Sequence, residues 1–179
     1  MRPFHAVSLG LLLILLTVVA GGVDLLADPV GWALVLVGVR SLPPAYPLRT
    51  PLQYAAGLAL LVSVPLVVPG VRDSLLDAGP ALGWAVSLPT FLVLGLLAHA
   101  VATAASAEGD GSRATTYRVV EVGAVLVALL PVVVFGAGVD VLGPPAALLV
   151  VLVPVVLLVS LFLHSDRTWA GVPDPTATT

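Results

Sequence analysis

The chain has 179 residues, of which 59% are hydrophobic and only 9% are charged, and its formal net charge is −3. A soluble domain carries about 25% charged residues, so this composition excludes a soluble globular fold and indicates a protein that crosses a membrane several times. Cysteine and lysine are absent, and the seven basic residues are scattered arginines, which excludes disulfides and thiol chemistry and argues against a nucleic-acid partner.

Six apolar stretches follow one another along the chain. A bilayer core of about 30 Å requires roughly 20 apolar residues in a helix, and each stretch approaches this length. Runs such as 11–16 and 146–153 lack the apolar–polar alternation of barrel strands, so helices are predicted. The predicted fold is an all-α, polytopic bundle in a single transmembrane domain over residues 1–168, with helices at 4–22, 28–42, 53–68, 82–106, 119–139 and 146–164.

Each of the first two predicted helices has an alternative interpretation. Arg2, the apolar stretch after it and small residues at 20–22 are also typical of a secretory signal peptide, but no A-x-A cleavage pattern follows, so retention is predicted. The second segment has an uninterrupted apolar core only over 30–39. This length fits a short, mismatched helix or a re-entrant segment.

The predicted connections differ in character. Residues 42–52 carry four prolines and predict an extended, stiff link, whereas residues 107–117 are rich in glycine and small polar residues and predict a flexible loop. Residues 169–179, rich in proline and threonine, are predicted to form a disordered cytoplasmic tail. Prolines inside four of the helices predict kinks, at Pro65, Pro89, Pro131 and Pro154.

A short turn is repeated three times, within residues 22–33, 70–85 and 138–145. Each copy has Gly-Val, an aspartate, a leucine two residues later, a proline and then a new apolar run. The repeat predicts three tandem helical hairpins that arose by duplication. Coincidence is the alternative, because most of the other matching positions are valine or leucine.

The repeated turn has a structural and a functional interpretation. In the structural one, glycine ends the incoming helix, aspartate caps the next helix, and proline occupies its first turn. In the functional one, Asp24, Asp73 and Asp140 converge outside the membrane as a site for a cation or a partner.

The arginines predict the orientation of the chain. With six spans, Arg72 lies on one side of the membrane and the other six arginines lie on the opposite side, which the positive-inside rule makes cytoplasmic. Both termini are then cytoplasmic, and the three turns face outward. Trp32 and Trp84 are expected in the outer headgroup layer. The cytoplasmic interface is expected to hold Tyr46, Tyr54, Tyr117 and Trp169.

Residues 24–39, DLLADPVGWALVLVGV, resemble a hairpin with the pattern Asp-x-Leu-Pro-Asp-x-x-Gly-Tyr-x-Leu-Ile-x-x-Gly-Leu. That hairpin is found in small, uncharacterised multi-span membrane proteins of Gram-positive bacteria. Ala27 replaces the usual proline of the pattern, and Trp32 replaces its tyrosine. The resemblance implies a bacterial inner-membrane protein and brings no assigned activity or catalytic residue.

His99 is the main candidate for chemistry, because an ionisable side chain within a span is a functional hypothesis, here a proton relay. The alternative is a neutral histidine that bonds to a neighbouring helix and serves packing. Glu121 is expected to pair with Arg118 at three-residue spacing. His5 and His164 lie near the interface without ligand spacing, so no metal site is predicted. No cofactor motif is recognised.

The predicted function is that of a non-enzymatic structural or interaction protein in the plasma membrane of a bacterium. Its expected partners are the lipid bilayer and another membrane protein or a second copy of the chain. The first alternative is a small permease or proton-coupled transporter, and the second is a membrane enzyme acting on lipids. The candidate ligand or proton sites are His99, Asp24, Asp73 and Asp140.

Overall fold

The computed structural model describes residues 3–16, 19–20, 23–24, 28–137 and 140–170, and most of them are helical. Short 3₁₀ turns occupy Asp140–Leu142 and Thr168–Ala170, and Val19–Ala20 pairs with Val23–Asp24 as a minimal antiparallel ladder. The predicted all-α class is confirmed. The described helices are α1 (Pro3–Leu15), α2 (Asp28–Arg40), α3 (Arg49–Leu66), α4 (Pro69–Asp77), α5 (Pro80–Ala107), α6 (Gly111–Gly136) and α7 (Gly143–Leu163).

Three of these helices, α5, α6 and α7, are long and apolar enough to cross a membrane, and α3 together with α4 makes a fourth candidate. The helices α1 and α2 have 13 residues each and rise about 20 Å, which is less than the roughly 30 Å of the hydrocarbon core. Every predicted segment contains a helix. The first helix nevertheless ends at Leu15 instead of residue 22, because the chain becomes extended at Val19–Ala20.

The second copy of the repeated turn is a helix of its own. Pro69 begins α4, where its missing N–H costs nothing, and α4 is bent by 103° from α3. Gly70 and Asp73 therefore lie inside a helix, and their predicted roles as helix stop and N-cap are wrong. The glycine that the turn requires is Gly79, whose φ of 114° is left-handed and directly precedes Pro80 at the start of α5.

In the other two copies of the repeated turn, the predicted position of proline in the first helical turn is confirmed. Pro29 lies in the first turn of α2, and Pro144 and Pro145 lie in the first turn of α7. Gly22 and Gly138, the predicted helix stops, lie outside the described residues. The backbone of Asp24 belongs to the antiparallel ladder, and Asp140 begins a 3₁₀ turn.

The predicted loop 107–117 is mostly helix. Asp110 caps α6 by accepting a hydrogen bond from the Arg113 backbone N–H, and α6 begins at Gly111. The hydroxyls of Thr115 and Thr116 bond to carbonyls one turn earlier, so these small polar residues are compatible with a helix. As a result α6 begins eight residues before the predicted start of the fifth helix, at 119.

The helices α1 and α2 form a hairpin with backbone-to-backbone contact. A Cβ added to Gly10 would lie 2.5 Å from the carbonyl oxygen of Gly31, and one added to Gly38 would lie 2.9 Å from the carbonyl oxygen of Pro3. Glycine is required at these crossings because any side chain would separate the helices. Trp32 is buried beside them with 2% of its surface exposed, so its indole packs against the protein and is not exposed as a lipid anchor would be.

Four chain segments meet at one end of the bundle: the start of α1, residues 41–48, residues 108–110 and residues 164–170. The ring of Phe4 lies 6.4 Å from that of Tyr46 and 6.2 Å from that of Trp169, and the hydroxyl of Thr168 donates to the carboxylate of Glu108. We call this the arginine-rich end. Trp169 and Ala170 are buried, so the folded domain extends two residues beyond its predicted limit at 168.

The aromatic residues of the arginine-rich end pack into the protein. Tyr117 is fully buried, while Tyr46 and Trp169 are at most 8% exposed. The expectation that these three anchor the interface is wrong, because their rings contact one another and Phe4 at this end. Tyr54, in contrast, is 76% exposed on α3, as an anchor would be.

Candidate functional site: an ionic triad at the end of an apolar groove

Three ionisable side chains meet between α5 and α6. Nδ1 of His99 lies 2.9 Å from Oε1 of Glu121 and 2.9 Å from Nη1 of Arg118. The same Nη1 donates to Oε2 of Glu121 at 2.9 Å, so the predicted pair at three-residue spacing is confirmed. His99, Glu121 and Arg118 are named here the ionic triad.

The ionic triad has two arrangements of its protons. A protonated Nδ1 of His99 donates to Glu121, whereas an unprotonated Nδ1 accepts a hydrogen bond from Arg118. One nitrogen cannot do both at once. Nδ1 of His99 therefore bonds either to the Glu121 carboxylate or to the Arg118 guanidinium. A change in the tautomer or charge of the imidazole exchanges one hydrogen bond for the other.

An apolar groove of about 730 Å³ runs from the ionic triad along α5 and α6 and is closed on one side by α3. Among the described residues that line it, only His99 and Glu121 are polar. Leu58, Leu92, Val125 and Leu129 line the groove and are between 46% and 57% exposed, so the groove is open laterally. Two of the helices that line the groove, α5 and α6, are candidate membrane spans.

Leu48 lines the end of the groove near the triad and has an unusual backbone conformation. Its φ of 54° and ψ of 18° lie in the left-handed region, at the residue that precedes α3. A left-handed non-glycine residue costs roughly 1–2 kcal/mol. Because its side chain packs against the core as well as lining the groove, the contact of this leucine offsets part of that strain.

A second polar cluster closes the arginine-rich end. The Tyr117 hydroxyl lies 3.1 Å from Nδ1 of His164, and the Ser165 hydroxyl lies 2.7 Å from Nε2 of His5. Burial, together with the charge of Arg113, lowers the pKa of His164 below its ordinary value. These contacts join the segment after α7 to α1 and α6, and they account for His5 and His164 without a ligand.

Two other side chains of the arginine-rich end, Asp110 and Tyr46, have pKa values that differ from their ordinary ones. The hydrogen bond from the Arg113 side chain holds the pKa of Asp110 below its usual value. The Tyr46 hydroxyl is buried without a hydrogen-bond partner among the described residues, and burial followed by the neighbouring Tyr117 and Glu108 raises its pKa. The Tyr46 shift reflects burial and the Asp110 shift reflects its pairing with Arg113, and both groups are separate from the ionic triad.

The opposite end of α5 is held to α6 by Trp84. Its indole N–H donates to the carbonyl oxygen of Ala128 at 2.9 Å. Pro131 lies inside α6 three residues after Ala128, and its missing N–H removes the helical hydrogen bond to the carbonyl of Val127, next to the carbonyl that Trp84 binds. Trp84 is thus partly buried against α6, and the prediction of a headgroup anchor overlooked this contact.

Among the four predicted site residues, the structure shows contacts with other ionisable side chains for His99, which lies next to Glu121 and Arg118. Asp73 is exposed on α4, and the side chains of Asp24 and Asp140 lie outside the described part of the chain. His5 and His164 do not join His99. In the residues that the structure describes, no group of three histidine, aspartate or glutamate side chains forms a metal site. The apolar groove was not predicted from the sequence.

The fold and the groove define a class of protein, an all-helical chain with three or four helices able to span a membrane and a laterally open site. No protein-family model, no curated protein and no solved structure matches the chain.

Proposed function

We propose that this chain is a non-enzymatic interaction protein of a bacterial plasma membrane, and that it binds an amphiphilic molecule of the bilayer in the apolar groove. The observation that carries the proposal is the continuity of the groove with the ionic triad. Hydrocarbon fits the walls of the groove, and a polar headgroup fits the end at which His99, Glu121 and Arg118 lie.

The arrangement in the membrane that we propose has six helices in three tandem hairpins: α1–α2, α3–α5 and α6–α7. In this proposal α1 and α2 enter the bilayer as a short hairpin, and the repeated turn reflects duplication. Both termini are cytoplasmic, because the described arginines other than Arg72 belong to or adjoin the arginine-rich end. The resemblance of residues 24–39 supports the bacterial plasma membrane as the location.

A test of the groove uses two tryptophan substitutions at equally exposed leucines. Leu92 lines the groove and is 49% exposed, while Leu152 lies on α7 away from it and is 48% exposed. Native mass spectrometry of detergent-purified protein would count the retained lipids. We expect L92W to lose most of the lipid that the unmodified chain retains, and L152W to keep it. Equal retention by both variants would contradict the proposal.

A proton-coupled permease is the second candidate, and the shared Nδ1 of His99 favours it specifically. A nitrogen that bonds alternately to Glu121 and Arg118 is a two-state proton site within a candidate span. In proteoliposomes with an imposed pH gradient, this candidate predicts proton movement that H99A abolishes. A proton flux equal to that of empty liposomes would eliminate it.

A further inference from the structure

The Arg118 guanidinium is only partly used by the ionic triad. Both of its hydrogen bonds to described residues, with Glu121 and with His99, are made by Nη1. A guanidinium has five N–H donors, two of them on Nη1, so the three on Nη2 and Nε remain available. The side chain is 47% exposed. The available Nε–Nη2 edge is the one that binds a phosphate or carboxylate through two parallel hydrogen bonds.

The position of Arg118 relative to the groove determines how a ligand is oriented. Glu121 lines the groove, and Arg118 lies one helical turn nearer the start of α6. The lining of α5 continues from His99 back to Ala85, which spans about 21 Å along the helix. One leaflet of the hydrocarbon core is about 15 Å thick, so the groove accommodates an acyl chain whose headgroup lies at Arg118.

The charges around Arg118 favour a headgroup with net negative charge. Oε1 of Glu121 lies 2.9 Å from Nδ1 of His99 and Oε2 accepts from Arg118, so the carboxylate is already engaged by the other two members of the ionic triad. Arg49 directly follows Leu48, but its Nη2 donates to the Arg40 carbonyl oxygen at 2.8 Å, so Arg118 is the guanidinium that adjoins Glu121. A zwitterionic headgroup bound to Arg118 would place its ammonium close to the guanidinium, whereas an anionic headgroup brings no second cation.

We propose that Arg118 is the headgroup-binding residue of the groove, and that it selects an anionic phospholipid by a bidentate contact to the phosphodiester. The inference rests on the proposed function, because it requires the groove to hold an acyl chain. It goes further by naming the class of the ligand and the residue that recognises it. Glu121 and His99 are positioning residues that orient the guanidinium through Nη1.

The test compares lipid binding by the full chain in detergent, titrated with phosphatidylglycerol, phosphatidylcholine or oleate and followed by native mass spectrometry. We expect the unmodified chain to prefer phosphatidylglycerol to phosphatidylcholine, and R118Q to bind it roughly tenfold more weakly. R118K keeps the positive charge but lacks the paired N–H donors of the guanidinium. Its affinity for phosphatidylglycerol is expected to lie between those of the unmodified chain and R118Q. R167Q removes an exposed arginine elsewhere at the same end and is expected to change nothing.

The outcomes separate the inference from the proposed function. If L92W removes lipid but the unmodified chain binds the two phospholipids equally, the groove is a lipid site and the role of Arg118 is refuted. If R118Q and R118K retain the full preference, the role is likewise refuted. Tighter binding of oleate than of phosphatidylglycerol would overturn the choice of a phosphodiester. If L92W changes no lipid binding, or a second copy of the chain occupies the groove, both proposals fail.

Discussion

Nδ1 of His99 lies 2.9 Å from Oε1 of Glu121, although the two residues are 22 positions apart and belong to different helices. The contact crosses the α5–α6 interface within the candidate spans. Interhelical hydrogen bonds in membrane proteins average about 0.6 kcal/mol and reach about 1.7 kcal/mol. The ionic triad is thus a modest contributor to stability, and in the proposed lipid site it orients Arg118.

This contact predicts an energetic coupling between His99 and Glu121. In a double-mutant cycle of H99A and E121A, unfolding in mixed micelles is expected to show a coupling of about 0.5–1.7 kcal/mol. The matched cycle pairs H99A with D73A, since Asp73 is exposed on α4 and is not part of the α5–α6 contact. That second cycle is expected to be additive, and coupling of equal size in both cycles would rule out a specific contact.

The packing of α1 against α2 predicts opposite effects of alanine at two glycines. At Gly10 the added methyl would lie 2.5 Å from the Gly31 carbonyl oxygen, so G10A is expected to destabilise the protein by about 1–3 kcal/mol. At Gly57 nothing lies within 4 Å, so G57A is expected to be neutral or to stabilise by up to about 1 kcal/mol through helix propensity. Denaturation in micelles measures both, and a loss at Gly57 as large as at Gly10 would be inconsistent with this packing.

The bond from Trp84 to α6 predicts a small, specific loss in W84F. The substitution keeps an aromatic ring but removes the donor to the Ala128 carbonyl. We expect a cost of about 0.5–1.5 kcal/mol in unfolding free energy. The control is Y54F at an exposed tyrosine, which is expected to stay within about 0.5 kcal/mol of the unmodified chain. A W84F variant as stable as Y54F would show that the bond contributes nothing.

The lowered pKa of His164 predicts a loss of stability on acidification. The folded state favours the neutral imidazole, whose Nδ1 lies 3.1 Å from the Tyr117 hydroxyl, so the unfolded chain binds more protons as the pH falls below about 6.5. The unfolding free energy should therefore decrease between pH 7 and pH 5. This decrease should be smaller in H164N, which cannot titrate.

Asp110 provides the control for this pH dependence. Its pKa is also lowered, first by the hydrogen bond from Arg113, so its contribution is present above the ordinary value of about 3.9 and is lost only as the pH falls below that value. D110N is thus expected to retain the decrease between pH 7 and pH 5, because it removes a charge that raises the pKa of His164 and leaves the imidazole in place. An unchanged decrease in H164N, or one abolished by D110N, would assign the effect to another group.

Sequence reasoning located the helices but not the contact between His99 and Glu121. The small polar residues of 107–117 predict a loop, so the predicted fifth helix begins at 119, only two residues before Glu121. In the structure Asp110 caps α6 and only residues 108–110 connect it to α5. His99 and Glu121 then lie at nearly equal distances from the connection, so the antiparallel pair brings them together.

The lengths of the first two spans and the second turn were mispredicted for similar reasons. Hydrophobicity alone does not distinguish the short helix α1 from a full span, because the extended Val19–Ala20 is as apolar as the helix before it. The motif around Gly70 and Asp73 suggested a cap, but Pro69 starts a separate helix there. The groove depends on the relative positions of α3, α5 and α6, which no local pattern in the sequence specifies.

The central claim, that the groove holds a bilayer amphiphile, is tested most directly by photo-crosslinking after detergent exchange. A benzophenone amino acid replaces Leu92 in the groove or Leu152 on the outer face of α7. Washing in detergent removes loosely held annular lipid before illumination, and mass spectrometry identifies the adduct. We predict a lipid adduct at position 92 and none at position 152. Equal labelling of the two positions, or none at position 92, would contradict the account.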